Sequence, residues 1–131
     1  MNPTDLRYHV EHEWVRVSGN QATLGISHFA QDALGDIVFV DMPKVGATVT
    51  ANQQIGEVES TKTTSTIYTP ISGKILSVNP ELKEHPEVVN SDPYGKGWMV
   101  VVEMSDPAQV NGLMTAAQYE AFLATQKKGS G

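Results

Sequence analysis

The segment Gly56-Glu57-Val58-Glu59-Ser60-Thr61-Lys62-Thr63-Thr64-Ser65-Thr66-Ile67-Tyr68 places one lysine among small hydroxylated neighbours, with no other basic residue between Lys44 and Lys74. Ile55, Val58, Ile67 and Tyr68 flank it as apolar anchors. The pattern reads as two strands meeting at a tight turn around Lys62. Ser and Thr accept extended backbone and pack little, so the tip is expected to stand out from the core. A lysine open on every side suits an enzyme that must acylate its amine. It equally suits a prosthetic group that must swing between active sites. Neither use needs a pocket or a perturbed amine. The residues alone leave the commoner alternative open, a solvated lysine on a surface hairpin.

Other polar clusters carry less. His9, Glu11, His12 and Glu13 lie close together, and two histidines with carboxylates are metal-ligand types. The region reads as extended, however, where positions i and i+3 point to opposite sides, so no metal site is expected. Glu57 and Glu59 share a strand face and suit solvent or a partner better than paired acid–base work. His28 and His85 have no evident partner, and Trp14 and Trp98 read as core or rim anchors. No G-x-S-x-G, P-loop or G-x-G-x-x-G run is present. Cysteine is absent, which removes disulfides, thiolate metal sites and thiol nucleophiles. A catalytic centre is therefore not expected.

The elements that must hold Lys62 are short strands divided by glycine and proline. Trp14, Val15 and Val17 lead through Ser18-Gly19-Asn20 to Ala22, Leu24 and Ile26, a hairpin. Ser27 is placed to cap a helix running to Leu34 and closed by Gly35. Strands are expected at Ile37–Val40, around Val49, at Ile55–Ser60, Ser65–Tyr68 and Lys74–Val78, with Asn79-Pro80 as a break. Asn90–Gly97 reads as a turn-rich loop, and Trp98–Met104 as a final strand whose unbroken apolar run suggests burial on both faces. Asp106-Pro107 is placed to cap a short turn ending near Gly112. Thr115 and Gln118 have capping-box spacing, Met114 and Tyr119 staple spacing, and Tyr119, Phe122 and Leu123 form a stripe for core packing. Residues 129–131 are expected to fray.

The chain has 131 residues, 40% of them hydrophobic and 18% charged, which fits one globular domain over 1–131. The fold class is mainly β, a small sandwich or flattened barrel with a short helix in the first half and helices at the end. A formal net charge of −6 repels phosphate backbones, so nucleic acid is not an expected partner. No apolar run is long enough to span a membrane, and Met1–Tyr8 lacks the pattern of a signal peptide. A cytoplasmic monomer is expected, or a mitochondrial matrix protein if a transit peptide was removed.

Glu59-Ser60-Thr61-Lys62-Thr63, then Ser65, Ile67-Tyr68 and Pro70-Ile71-Ser72-Gly73, resembles the lipoyl attachment site of the glycine cleavage system H-protein family. His12-Glu13-Trp14-Val15 resembles that family's opening strand. Gly25-Ile26, Ala30-Gln31 and Leu34-Gly35-Asp36-Ile37-Val38 resemble its next block, and Asn90-Ser91-Asp92-Pro93-Tyr94-Gly95-Lys96-Gly97-Trp98 its last loop. The resemblance implies a lipoyl-domain (hammerhead) sandwich with lipoic acid joined covalently to Lys62, and with Glu59, Ser60, Thr61 and Thr63 forming the lipoylation motif. It implies a carrier that is not itself an enzyme. A pyridoxal-phosphate glycine decarboxylase loads an aminomethyl group, a tetrahydrofolate-dependent aminomethyltransferase unloads it, and a flavin dihydrolipoamide dehydrogenase reoxidises the arm. Lipoylating enzymes are further partners. The loaded arm folds back on the protein in this family, which implies docking roles for Glu13 and for position 66.

This chain departs from the family pattern in places. Thr61 stands where valine is usual, Thr63 and Thr64 replace small apolar residues, and Thr66 replaces an acidic residue. Ala33 stands where some members have histidine, and Asn52 replaces a turn glycine. A biotin carrier would flank its lysine with methionines. A lipoyl domain of a 2-oxoacid dehydrogenase usually reads Asp-Lys-Ala and lacks the terminal helices. A lipoyl donor to other complexes, or an unmodified protein-binding module, remains the alternative function.

Overall fold

The computed structural model describes residues 3–130. Strands β1 (Arg7–Tyr8), β2 (Glu13–Ser18), β3 (Gln21–Ile26), β5 (Thr48–Val49), β8 (Gly73–Val78) and β9 (Val100–Met104) form one sheet in the order β1-β2-β3-β9-β8-β5. Strands β4 (Ile37–Asp41), β6 (Gln54–Ser60) and β7 (Thr64–Tyr68) form the second, in the order β4-β6-β7. Every strand pair is antiparallel. Side chains alternate across each strand, so each sheet turns an apolar face inward. Val15, Ala22, Leu24 and Ile75 from the first sheet meet Ile37, Val40, Val58 and Ile67 from the second in one buried cluster. Two open sheets over a shared core make the expected β sandwich.

Local chemistry sets the turns. In the β2–β3 hairpin Ser18 pairs with Gln21, and Gly19 takes φ 61° at the tip. Gly56 lies where β6 shifts register, and a β-carbon there would collide with the Asp41 carbonyl of β4. Only glycine lets the two backbones approach so closely at that point.

Helix α1 (His28–Leu34) starts at Ser27, whose hydroxyl accepts from the Ala30 N–H, and ends at Gly35 with φ 84°. At the other end, Thr115 and Gln118 cap α4 (Ala116–Ser130) reciprocally: Thr115 N–H donates to Gln118 Oε1 and Gln118 N–H to Thr115 Oγ1. α4 then packs onto β1 through Tyr119, whose ring stacks on Tyr8 at 4.5 Å. Trp14, Leu6 and Leu123 complete this second buried cluster, and Met114 and Phe122 pack against it. Gly131, the last residue of the expected frayed tail, lies outside the described residues.

Several expectations change. Two one-turn helices, α2 (Glu81–Glu84) and α3 (Val88–Ser91), occupy the region after Asn79-Pro80, so Asn90 and Ser91 are helical rather than loop. One turn is too short to show apolar periodicity. Asn79 organises the start of α2: its amide donates to the Lys96 and Trp98 carbonyls while its oxygen accepts from Glu81 N–H. The last strand begins at Val100 and is buried on one face only, with Glu103 exposed, because the outer face of this antiparallel sheet is uncovered. Asp106 makes no side-chain cap, and the following turn, Pro107–Gly112, is a 3-10 helix.

Candidate functional site

Lys62 lies at the turn between β6 and β7, the strands closing at the pair Glu59–Thr64. Ser60 builds this turn. Its N–H donates to the Thr63 carbonyl at 2.8 Å. Its buried hydroxyl accepts from the Lys62 and Thr63 N–H groups at 3.3 and 3.1 Å and itself donates to the Thr63 carbonyl. Thr61, Lys62 and Thr63 are all exposed. A serine hydroxyl that both donates and accepts therefore holds the loop whose tip presents the amine.

The tip is not open on every side, which corrects the expectation from the sequence. β4 pairs with β6 up to Ser60, opposite Ile37, and the Thr61 N–H donates to the Asp36 carbonyl at 3.0 Å. The corner between α1 and β4 thus passes beside the turn. A β-carbon on Gly35 would lie 3.2 Å from Lys62 Cε, so the lysine stem runs along bare glycine backbone. Asn90 fastens that corner: its amide donates to Gln31 Oε1 and the Gly35 carbonyl, and its oxygen accepts from Ile37 N–H at 2.8 Å. Gly35, Asp36 and Asn90 were not read as parts of the site. They lie far from Lys62 in sequence, and no local spacing connects them to it.

The outer face of the three-stranded sheet carries two cross-strand rows, Asp41–Glu57–Thr66 and Phe39–Glu59–Thr64. Glu57 and Glu59 are exposed on this face, as expected, and Phe39 is 51% exposed beside them. The lysine turn therefore adjoins an acidic face bearing one aromatic ring.

Glu13 is elsewhere. It is 1% exposed, on β2, and its Oε2 accepts from the Tyr68 N–H at 3.1 Å. Tyr68 ends β7 opposite the lysine turn, with roughly 13 Å of strand between it and Thr64. Burial pushes the Glu13 carboxyl above its ordinary pKa, against the bonds from His9 and Tyr68. Among the described residues no hydrogen bond joins Thr66 to Glu13; Thr66 is half-buried opposite Glu57.

Residues 9–12 form a turn rather than an extended run, with His12 N–H donating to the His9 carbonyl and His12 at φ 75°. The turn sends the two histidines apart. His12 Nδ1 bonds the Tyr119 hydroxyl at 2.8 Å, while His9 bonds Asn52 through Nε2 at 2.7 Å and meets Glu13 Oε1 through Nδ1 at 3.2 Å. Asn52 adopts φ 72°, the left-handed conformation that asparagine tolerates where glycine is usual.

A family model described as Glycine cleavage H-protein matches residues 6–126. The chain belongs to the glycine cleavage H-protein family. Its relatives include the Glycine cleavage system H protein of Anoxybacillus flavithermus, 57% identical over 121 residues, which are 92% of this chain and 95% of that one. The Geobacillus protein of the same name shows the same identity and coverage. A crystal structure of a glycine cleavage system H protein from Mycobacterium marinum superimposes with a TM-score of 0.85 at 40% identity, covering 92% of this chain and 97% of that one. The H-protein family is a family of lipoyl carriers, and an exposed primary amine on a rigid turn fits an amide-linked arm. Among the described residues no helix is long and apolar enough to cross a membrane.

Proposed function

We propose that Lys62 bears an amide-linked lipoyl group, and that this chain is the non-catalytic carrier of a glycine cleavage system. The observation that carries the reading is the exposed lysine on the turn held by Ser60, at the place where the family's attachment motif falls. Lipoate, once attached, supplies a dithiolane able to take up an aminomethyl group and to cycle between disulfide and dithiol. The chain contributes presentation. Ser60 fixes the turn, the Gly35–Ile37 corner limits the directions open to the lysine stem, and Glu59 lies where a lipoylating enzyme would read the motif.

On this reading the carrier visits glycine decarboxylase, the aminomethyltransferase and dihydrolipoamide dehydrogenase in the cytoplasm. The acidic face of Glu57, Glu59 and Asp41 suits basic docking surfaces, with opposite charge steering the encounters.

The test is intact-mass measurement and peptide mapping of the protein from a lipoylating host. One lipoyl group on Lys62 is expected, absent from a folded Lys62→Arg variant. Lipoate mapped to another lysine would overturn the reading. So would steady turnover by the purified chain that survives Lys62→Ala.

A further inference from the structure

The ring of His9 makes contacts that cannot all be satisfied by one protonation state. Its Nε2 faces Asn52 Oδ1 at 2.7 Å, so Nε2 carries hydrogen and donates. Its Nδ1 accepts from the Glu11 backbone N–H at 3.1 Å, which requires a lone pair there. The same Nδ1 lies 3.2 Å from Glu13 Oε1, an oxygen that is fully buried and has no hydrogen bond of good geometry. A bare nitrogen facing a bare carboxylate is repulsive. One proton between them removes the conflict, whether on Nδ1 to give an ion pair or on the carboxyl to give a neutral donor. Either way the pair holds one proton and no net charge.

The pair borders open space. His9 and Tyr68, which both touch the Glu13 carboxyl, line a hollow of about 260 Å³ together with Val10, Glu11 and Asn52. The other polar and titratable groups around the pair are Glu11 and His12 from the same turn, Asn52 from the β5–β6 connection, Tyr68 from β7 and Tyr119 from α4. No lysine or arginine is among them, so His9 is the cationic partner that the surroundings offer Glu13.

We propose that His9 is a positioning residue that holds one proton jointly with Glu13, and that capture of a primary ammonium by Glu13 expels that proton. The inference rests on the carrier reading, in which the ammonium is the aminomethyl end of the arm on Lys62. The balance is the same from either starting state: the ammonium enters with its own charge, the carboxylate pairs with it, His9 is left neutral, and one proton passes to solvent. Neutral His9 keeps its bond to Asn52 and its acceptance from Glu11, so the turn need not refold. Docking of the loaded arm is thereby tied to pH, weakest where His9 holds its proton most firmly. The upward displacement of both groups, with burial opposing the charge on His9 and favouring the neutral Glu13 carboxyl, agrees with a retained proton.

NMR titration of the unmodified full chain tests the shared proton. The His9 ring midpoint should move to lower pH in Glu13→Gln, and the Glu13 carboxyl midpoint should move to higher pH in His9→Gln. If both midpoints stay where they are in the wild type, the proton is not shared and the proposal falls. The lipoylated protein, loaded with an aminomethyl group and checked by intact mass, then tests the exchange. The His9 midpoint should drop on loading, and the rate of methylamine loss relative to His9→Gln should rise as the pH falls through that midpoint. A loaded arm that leaves the His9 titration unmoved overturns the proposal. Absence of any arm on Lys62 would instead sink the carrier reading, and the proposed ammonium with it, while leaving the shared proton decided by the unmodified chain.

Discussion

The Lys62 side chain runs along the backbone of Gly35, its Cε within 3.2 Å of where a β-carbon on that glycine would be. The residue that closes α1 is also the wall beside the modified amine. Gly35 has φ 84° and ψ −155°, a region that L-residues almost never occupy. Gly35→Ala should therefore cost about 1–3 kcal/mol in backbone strain and also displace the lysine stem. Gly46 has φ 92° with nothing near its missing β-carbon. Gly46→Ala should lose stability without slowing lipoylation, whereas Gly35→Ala should lose both. Denaturant midpoints and initial lipoylation rates measure the two effects.

Asn90 offers a second handle on the same corner. In Asn90→Asp the oxygen still accepts from Ile37 N–H, but the donors to Gln31 and the Gly35 carbonyl are lost, and a carboxylate would face two acceptors. Loss of such a buried network should cost about 1–3 kcal/mol. The cost should shrink in acid, where the introduced carboxyl takes up a proton and regains one donor. Equal destabilisation at pH values above and below the usual carboxylate range would show that the donors contribute nothing.

His9 and His12 should act on stability in opposite directions. His12 is pushed below its ordinary 6.5 by burial, so the folded chain resists protonating it. Its contribution is complete above 6.5 and is lost as the pH falls through the lower folded value. Burial also presses down on His9, but its bonds to Glu13 and Asn52 leave it above 6.5. Its contribution is complete below 6.5 and is lost as the pH rises through the higher folded value. Between them the two histidines favour a stability maximum near 6.5. His9→Gln should flatten the alkaline limb and His12→Gln the acid limb in unfolding experiments across this range.

Thr66 stands directly across from Glu57 on the outer face of the small sheet. An aspartate there would face a like charge, which typically costs about 0.2–1 kcal/mol between strands. Thr66→Asp should be slightly less stable than the wild type at neutral pH, and Glu57→Gln should relieve the difference. On the carrier reading, the same carboxylate should slow methylamine loss from the loaded arm, as followed by release of ammonia and formaldehyde. Equal loss rates in Thr66→Asp and wild type would mean that position 66 takes no part in holding the arm.

The strands, the Gly19 hairpin, the Ser27 cap, the capping box at Thr115 and the exposed turn around Lys62 were legible in the amino-acid sequence. Each depends on contacts within a few residues, so periodicity and turn chemistry carry them. The one-turn helices at Glu81 and Val88 were not legible, because a single turn leaves no period to read. Nor was the exposed outer face of β9, since an apolar run does not say whether a second layer covers it. The lysine itself was evident from its setting, but its surroundings were decided by tertiary structure alone. Gly35 and Asn90 meet the turn only because β4 pairs with β6 and α3 packs beside α1. The burial of Glu13 under His9 likewise needs the turn at residues 9–12 and two distant contacts. Asn52 is 43 positions from the His9 it bonds, and Tyr68 is 55 from Glu13. Long-range contacts of this kind follow from the packing of two sheets over one core, and no short stretch of sequence encodes them.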